Sequence, residues 1–183
     1  MRKLLLIAAA TAILVGGWFG WKAWNGRGLS PRLAKMAGTA PVEMVPCSIW
    51  FPSREGLDLC EESSTIPKTE DPTLRLKGAI EALHRGPTTP CSLHMFPEDS
   101  APRAVFLGTD GTAYLDYPKS VFERPMGLRE EFLFIRALGK TLLRNCPKVR
   151  AFVILVDGVP KDFISGHMPS HGKYILPARG PEK

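Results

Sequence analysis

The alternation of apolar and polar residues predicts three pairs of β-strands separated by two helices. Short apolar or alternating runs bounded by Gly, Pro or Asp are typical of strands. The predicted strands are residues 45–51, 57–60, 104–108, 112–117, 149–156 and 159–164. Val153–Val156 is apolar at every position, which indicates a strand buried on both faces.

Turn signals join the two strands of each pair. The loop PSREG connects the first pair, Asp110-Gly111 the second, and Asp157-Gly158 the third. Asp-Gly is preferred in type I′ turns because both central residues need a positive φ. A strand that ends in an acid can also present a metal ligand, but turn chemistry alone accounts for these letters. We therefore interpret both aspartates as turn residues.

The first predicted helix has clear signals at both ends. Asp71 can act as the N-cap, and Pro72 takes the first helical position. Gly86-Pro87 ends the helix. The residues that recur with helical spacing and form one apolar face are Leu76, Ala79, Ile80 and Leu83.

The second predicted helix spans residues 128–145. The acids Glu130 and Glu131 lie in its first turn, where they suit the helix dipole. Its predicted apolar face consists of Leu128, Phe132, Ile135 and Leu142, widened by Leu138. Gly139 weakens a helix interior by about 1 kcal/mol relative to Ala, and close approach to a sheet would explain it.

This element order, ββα-ββα-ββ, predicts an α+β fold: a two-layer sandwich of strand hairpins and two helices. The folded domain is predicted over residues 42–176, followed by a disordered tail at 177–183. Residues 25–41 contain several Gly and Pro without a clear period and are interpreted as a flexible linker.

A long apolar run precedes the linker. Residues 4–21 carry no charge and would form a helix of about 27 Å, close to the ~30 Å hydrocarbon core of a bilayer. Arg2 and Lys3 precede the run, as in an export signal. We predict that residues 1–24 form a signal anchor and a single transmembrane helix, with a cleaved signal peptide as the alternative.

The charge distribution argues against nucleic-acid binding. The whole chain has a net charge of +6, but residues 42–176 contain 16 Lys and Arg against 17 Asp and Glu, a net of −1. The basic excess lies beside the apolar run, where it suits anionic lipid headgroups. Basic residues flank this run on both sides, so charge bias alone leaves the topology open between an extracytoplasmic and a cytoplasmic domain.

No sequence motif of catalysis or cofactor binding is present. The chain has no phosphate-binding glycine loop, no G-x-S-x-G and no H-E-x-x-H. His167 and His171 are four residues apart, but Pro169 lies between them, so no helix presents the pair. We predict no metal or cofactor, and keep His167, His171 and Asp162 as the alternative metal-binding set.

The four cysteines are interpreted as disulfide candidates, because no neighbouring base favours a nucleophilic thiolate. Cys47 and Cys60 would lie opposite each other if residues 52–55 form the first hairpin loop, which would leave Cys91 for Cys146. A shift of one residue in the strand register breaks the first pairing. Four cysteines allow three connectivities, and the other two stay open.

Three segments resemble blocks of the GerMN domain family. AIEALHRGPT (79–88) resembles a helix-ending ALxxLLxGPT signature. The segments 92–117 and 138–158 are similar to its following blocks, the last ending in ILVDG. Gly166-His167 also matches a recurrent pair after the last hairpin, so the likeness extends from about Cys47 to Ile175.

The resemblance implies a membrane-tethered α+β domain on the periplasmic side of the cytoplasmic membrane, without established catalytic residues. We therefore predict a non-enzymatic interaction module of the bacterial cell envelope. Its partners would be envelope proteins of unknown identity, with a homo-oligomer as an open case. The alternative is a ligand- or metal-binding envelope protein, or an unrecognised hydrolase, that uses the His167 and His171 loop.

Overall fold

The computed structural model describes residues 42–96, 100–169 and 172–177. The predicted anchor (1–24), the predicted linker (25–41) and all but the first residue of the predicted tail lie outside these ranges. Among the described residues, none of the helices combines the length and the apolar character needed to cross a bilayer.

Pairs of strands and two helices follow one another in the predicted order, and the structure adds a 3-10 helix and a short last strand that were not predicted. The elements are β1 (Met44–Pro52), β2 (Leu59–Pro67), α1 (Pro72–His84), β3 (Ala104–Leu107), β4 (Thr112–Tyr117), a 3-10 helix (Lys119–Phe122), α2 (Leu128–Asn145), β5 (Ala151–Val156), β6 (Val159–Pro160) and β7 (Tyr174–Ile175). The predicted α+β class is confirmed.

The strands form two separate sheets. The antiparallel pair β1–β2 is a sheet of its own. In the second sheet, β3 pairs with β4, β4 pairs with β5, and β5 pairs with both β6 and β7. β4 and β5 pair in parallel, whereas the predicted hairpins contain only antiparallel pairs. Helix α2 supplies the crossover that a parallel connection requires.

Helix α1 begins and ends as predicted. The Asp71 side chain accepts a hydrogen bond of 2.8 Å from the Thr73 backbone N–H, which satisfies one free donor of the first turn. The predicted apolar face is buried throughout. The chain leaves the helix through Gly86, which has a φ of 93°.

Helix α2 has the predicted bounds, and three of the five residues on its predicted apolar face, Ile135, Leu138 and Leu142, are buried. Leu128 and Phe132 are 57% and 41% exposed, so their predicted place on the buried face is wrong. The core face instead includes the polar residues Glu131, Thr141 and Asn145. Polar residues can take core positions when neighbouring groups satisfy their hydrogen bonds, which they do here.

The explanation proposed for Gly139 is confirmed. A Cβ at this position would lie 3.4 Å from Cε1 of Phe152 on β5 and 2.8 Å from Cδ2 of Leu176. The missing side chain therefore lets α2 approach the sheet closely.

Two predicted strands have different bounds in the structure. β2 was predicted at 57–60 but continues to Pro67, because its polar stretch alternates exposed residues with the buried Glu62 and Ile66. β6 was predicted to reach Ile164 but ends at Pro160, which has no N–H to continue a ladder. The following segment turns towards α2 instead.

The β3–β4 connection also differs from the predicted type I′ turn. Asp110 does not adopt a positive φ, whereas Gly111 has a φ of 79°. The Gly111 N–H donates to the Gly108 carbonyl, and the Gly108 N–H donates to the Thr112 carbonyl. This is a three-residue loop in which a turn is followed by a glycine bulge. Asp157-Gly158 does have positive φ at both residues, as a type I′ turn requires.

We predict that Gly111→Ala lowers the free energy of unfolding by about 2–4 kcal/mol. The added Cβ would lie 2.5 Å from the Lys148 backbone carbonyl, and the positive φ disfavours any side chain. Gly158→Ala is the matched control, because its φ is 77° but no atom lies within 4 Å of the new Cβ. Chemical denaturation should show a cost of only about 1 kcal/mol for the control. Equal costs would contradict the proposed clash.

Candidate functional site

The β1–β2 sheet has one closed edge and one open edge. In its antiparallel register, Ser48 lies opposite Ser63 and Trp50 lies opposite Glu61. The backbone N–H groups of Ser48 and Trp50 donate to side chains of α2, so they point away from β2. In antiparallel pairs, directly opposed residues point their backbone groups the same way, either both inward or both outward. Ser63 and Glu61 therefore point their backbone groups outward from β2.

Helix α2 closes the outer edge of β1. The Asn145 amide accepts from the Ser48 N–H at 3.3 Å and donates to the Ser48 carbonyl at 2.6 Å. The Thr141 hydroxyl accepts from the Trp50 N–H at 3.1 Å. Further along this edge, the Pro52 carbonyl accepts from the Leu93 N–H at 2.8 Å. Side chains and loop backbone thus take the place of a neighbouring strand.

The outer edge of β2 has no such cover in the described part of the chain. The outward positions Glu61, Ser63 and Thr65 make no backbone hydrogen bond with any described residue. All three residues are exposed. A straight edge of unpaired donors and acceptors can accept another strand, and proteins generally cover or interrupt such edges. We define Glu61, Ser63 and Thr65 as the β2 edge.

The inner face of β2 carries a buried carboxylate that holds the loop after α1. One Glu62 oxygen accepts from the backbone N–H and the hydroxyl of Thr88, both at 2.8 Å. The other accepts from the Thr89 hydroxyl at 2.6 Å and from its N–H at 3.3 Å. Burial alone raises the pKa of Glu62, but hydrogen bonds from Ser92, Thr89 and Thr88 outweigh it and lower the pKa to about 2.

This contact explains the GPT letters at 86–88. Gly86 and Pro87 turn the chain out of α1, and a Cβ on Gly86 would lie 3.2 Å from the His94 ring. Thr88 then binds Glu62. The arrangement is structural, because the carboxylate is enclosed by donors of its own chain.

His167, one member of the alternative metal-binding set, contacts a buried carboxylate of the fold itself. Nδ1 of His167 lies 3.1 Å from the buried Glu131 carboxylate, which also accepts from the backbone N–H groups of Ser165 and His167. Asp162 is exposed, and His171 lies outside the described residues. In the described ranges, His, Cys, Asp and Glu side chains nowhere gather in a group of three or more that could hold a metal ion.

The sequence predicts Glu131 in the first turn of α2 but not its burial, because an acid in the first turn of a helix is usually solvated. Its position does carry a signal. Residues 131, 135, 138, 142 and 145 follow helical spacing and share the core face of α2. An acid within such a series indicates a buried carboxylate that needs donors from elsewhere in the fold.

A second buried polar cluster contains a serine and a histidine but lacks the properties of a catalytic pair. Nδ1 of His84 lies 2.9 Å from the Ser100 hydroxyl, and Nε2 lies 3.1 Å from the Tyr117 hydroxyl. All three residues are buried. Burial lowers the pKa of His84 to about 3, so the ring is neutral and a weak base.

The turn aspartate Asp157 participates in an ion-pair network. Arg103 lies 2.6 Å from the Asp157 carboxylate and 3.7 Å from that of Asp116. Asp116 also accepts from the Gly158 N–H at 2.8 Å. Asp157 and Asp116 thus connect three segments: the β5–β6 turn, the end of β4 and Arg103, the residue before β3.

An open apolar groove lies between the loop after α1 and the start of α2. Its volume is about 970 Å³. Its apolar lining consists of Pro52, Leu93, Met95, Phe96, Val121, Leu128 and Leu133. Leu93 and Leu128 are 48% and 57% exposed, so the groove is accessible from solvent.

The predicted pairing of Cys47 with Cys60 is wrong. Cys47 lies opposite Ser64, and Cys60 lies opposite Phe51. The loop between β1 and β2 is longer than residues 52–55, which the prediction assumed. Cys47 and Cys146 are buried, whereas Cys60 is half-buried and Cys91 is exposed. All four are free thiols in this structure.

A family model matches residues 48–162 of the chain. The matching family model is described as Germane: Sporulation and spore germination. It spans more than half of the chain. No curated protein sequence shows significant similarity to the chain.

Solved structures share the fold at low sequence identity. The first GerMN domain of the sporulation protein GerM from Bacillus subtilis has a TM-score of 0.56 and 18% identity, over 72% of this chain and 96% of that one. The tandem GerMN domains of the same protein give 0.58 and 16%, over 73% and 46%. A Clostridium perfringens protein described as a candidate lipoprotein gives 0.52 and 19%, over 72% and 87%.

We predict that the stabilising effect of Glu62 disappears in acid. The folded-state pKa of about 2 lies below the ordinary 4.5, so the stabilisation is complete above pH 4.5 and is lost as the pH falls towards 2. In pH-dependent denaturation, the stability difference between the native chain and Glu62→Gln should shrink by about 2 kcal/mol over this range.

Glu61→Gln supplies the control for this measurement, since it removes an exposed carboxylate from the same strand. A difference between the native chain and Glu62→Gln that stays constant from pH 4.5 to pH 2 would contradict the assigned role of the buried carboxylate.

Proposed function

Because the chain belongs to the Germane family of sporulation and spore germination, we propose that it is a non-enzymatic interaction module of the bacterial cell envelope. The apolar segment 4–21 would hold it in the cytoplasmic membrane, with residues 42–176 on the outer side. The linker 25–41 would let the domain stand away from the bilayer. The names of the structural neighbours, a sporulation protein and a candidate lipoprotein, support an envelope setting.

The open β2 edge is the observation that carries the proposal. Three successive outward positions, Glu61, Ser63 and Thr65, offer backbone donors and acceptors that no described residue uses. β1, the other strand of the same sheet, has its equivalent groups occupied by α2 and the loop at Leu93. Within the described residues, the fold therefore covers the outer edge of β1 and leaves the outer edge of β2 uncovered.

The chemistry of the β2 edge favours an extended protein segment as the partner. Main-chain hydrogen bonds supply affinity when a strand is added to a sheet, and alternate side chains supply specificity. Two of the three edge side chains, Ser63 and Thr65, are small and uncharged, so a second backbone can approach closely. The Glu61 carboxylate lies 3.9 Å from Nε of Arg144, so at this end of the β2 edge the side-chain charge is paired within the domain.

Two partners satisfy this chemistry. One is an extended segment of a different envelope protein, which is the version that we propose. The other is the β2 edge of a second copy, placed antiparallel about a two-fold axis. In both cases a strand is added to the β2 edge. The identity of the protein that is cross-linked to this edge distinguishes the two.

We predict that a photo-cross-linking amino acid at position 65 in the membrane-bound full chain traps an envelope protein. The same residue at Thr109, an exposed position in the β3–β4 turn of the other sheet, should trap it at most weakly. Mass spectrometry of the cross-linked product identifies the partner. Equal trapping at both positions would contradict an interface on the β2 edge.

A proline variant tests the backbone groups directly. Ser63→Pro removes an outward N–H that bonds no described residue, and edge strands tolerate proline at such positions. It should reduce trapping at position 65 by at least about threefold, the cost of one hydrogen bond.

Thr109→Pro is the matched proline control, because it lies at the second position of the β3–β4 turn, where proline is favoured. It should leave trapping unchanged. Circular dichroism spectra of both variants establish that the fold is retained. Undiminished trapping in a folded Ser63→Pro variant would overturn strand addition.

A further inference from the structure

The thiols of Cys60 and Cys91 are neighbours, although the residues are 31 positions apart in the chain. Cys60 lies on β2, opposite Phe51, and its Sγ donates to the Cys91 carbonyl at 3.4 Å. The two thiols also affect each other's pKa: Cys91 raises the pKa of Cys60, and Cys60 lowers the pKa of Cys91. Cys91 lies in the loop after α1, with its Sγ 3.4 Å from the Thr89 hydroxyl and 3.7 Å from the Ser92 hydroxyl.

The backbone around Cys91 is held in this position from several sides. The Arg54 N–H donates to the Cys91 carbonyl at 2.8 Å, and the Leu93 N–H donates to the Pro52 carbonyl at 2.8 Å. Ser92 forms an isolated antiparallel β-bridge with Ser53. Between α1 and Cys91, the Thr89 hydroxyl donates a hydrogen bond to the buried Glu62 carboxylate. The loop therefore holds Cys91 beside the Cys60 thiol before any covalent bond exists.

We propose that Cys60 and Cys91 form a disulfide that fastens the loop after α1 to the first hairpin. This is neither of the two pairings that the sequence favoured, because it joins one cysteine from each. It also differs from the family match, which assigns no role to any cysteine. The inference rests on the proposed function only for the location of the domain outside the cytoplasm. A structural disulfide persists in such an oxidising compartment.

The exposure of the four thiols separates this pair from the other two. Cys91 is exposed and Cys60 is half-buried, so an oxidant in solution can reach them. Cys47 and Cys146 are each only 4% exposed and belong to the hydrophobic core. Hydrogen bonds from Thr89, Cys60 and Ser92 lower the pKa of Cys91, whereas burial raises the pKa of Cys47. Cys91 is thus the thiol that reacts first.

The chemistry is a thiol–disulfide exchange with a dialkyl disulfide, such as glutathione disulfide, as the oxidant. The Cys91 thiolate attacks one sulfur of the oxidant, which forms a mixed disulfide and releases one thiolate. The Cys60 thiolate then attacks the Cys91 sulfur and releases the second thiolate. The two thiol protons end on the two released thiols, and the two electrons lost by the protein reduce the oxidant.

The bond would close a ring that contains all of α1 and the Glu62 contact. It would also fix the loop that supplies Leu93 and Met95 to one wall of the apolar groove. A disulfide that closes a ring of this length restricts the unfolded chain, so oxidation should raise the melting temperature by roughly 6–12 °C.

The test begins with the purified full chain, incubated with glutathione disulfide and then treated with an alkylating reagent. Peptide mass spectrometry should find Cys60 joined to Cys91, with Cys47 and Cys146 alkylated after unfolding. Cys60→Ser and Cys91→Ser should each abolish both the bond and the rise in melting temperature. Cys47→Ala, the control, should keep both. Any other pairing, or alkylation of both Cys60 and Cys91, would overturn the proposal.

The same alkylation in acid-quenched cells separates this inference from the proposed function. A Cys60–Cys91 bond in cells supports both the pairing and an extracytoplasmic domain. A bond that forms with glutathione disulfide but is absent in cells supports the pairing and overturns the proposed location. Photo-cross-linking at position 65 is read independently of either result.

Discussion

Buried hydrogen bonds from one helix to the backbone of distant segments are the constraint on which this fold depends. Helix α2 places Glu131, Thr141 and Asn145 on its core face, where an unsatisfied polar group would cost several kcal/mol. Asn145 and Thr141 bind the outer edge of β1, and Glu131 binds the backbone at 165–167. One helix thereby joins the first sheet to the segment that follows the last hairpin.

This use of α2 has a direct consequence for the first sheet. A two-stranded sheet has two outer edges, and the side chains of α2 satisfy only the one on β1. The inner face of β2 is held by the Glu62 contact with the loop after α1. Its outer edge is left with backbone groups that meet no described residue. The same contacts that stabilise the domain therefore determine which of its surfaces can accept a partner strand.

The polar clusters also show why residue types alone are a poor guide to chemistry in this chain. His84, Ser100 and Tyr117 would suggest a catalytic group, yet they are buried and the histidine has a strongly lowered pKa. His167 contacts Glu131 and thereby helps to position the last loop. The Cys60–Cys91 contact, by contrast, joins two residues that no spacing rule connects. It depends on the loop bound by Glu62.

The sequence by itself determined the element order, both helix bounds, the cap at Asp71 and the close approach at Gly139. These features follow from short-range rules of periodicity, capping and backbone sterics, which act within a few residues of one another. Only the tertiary structure decided the parallel β4–β5 pairing, the donors and acceptors that meet the polar residues of α2, the open β2 edge and the neighbours of each cysteine. Those depend on which distant donors and acceptors meet when the layers pack, and local patterns carry no information about that.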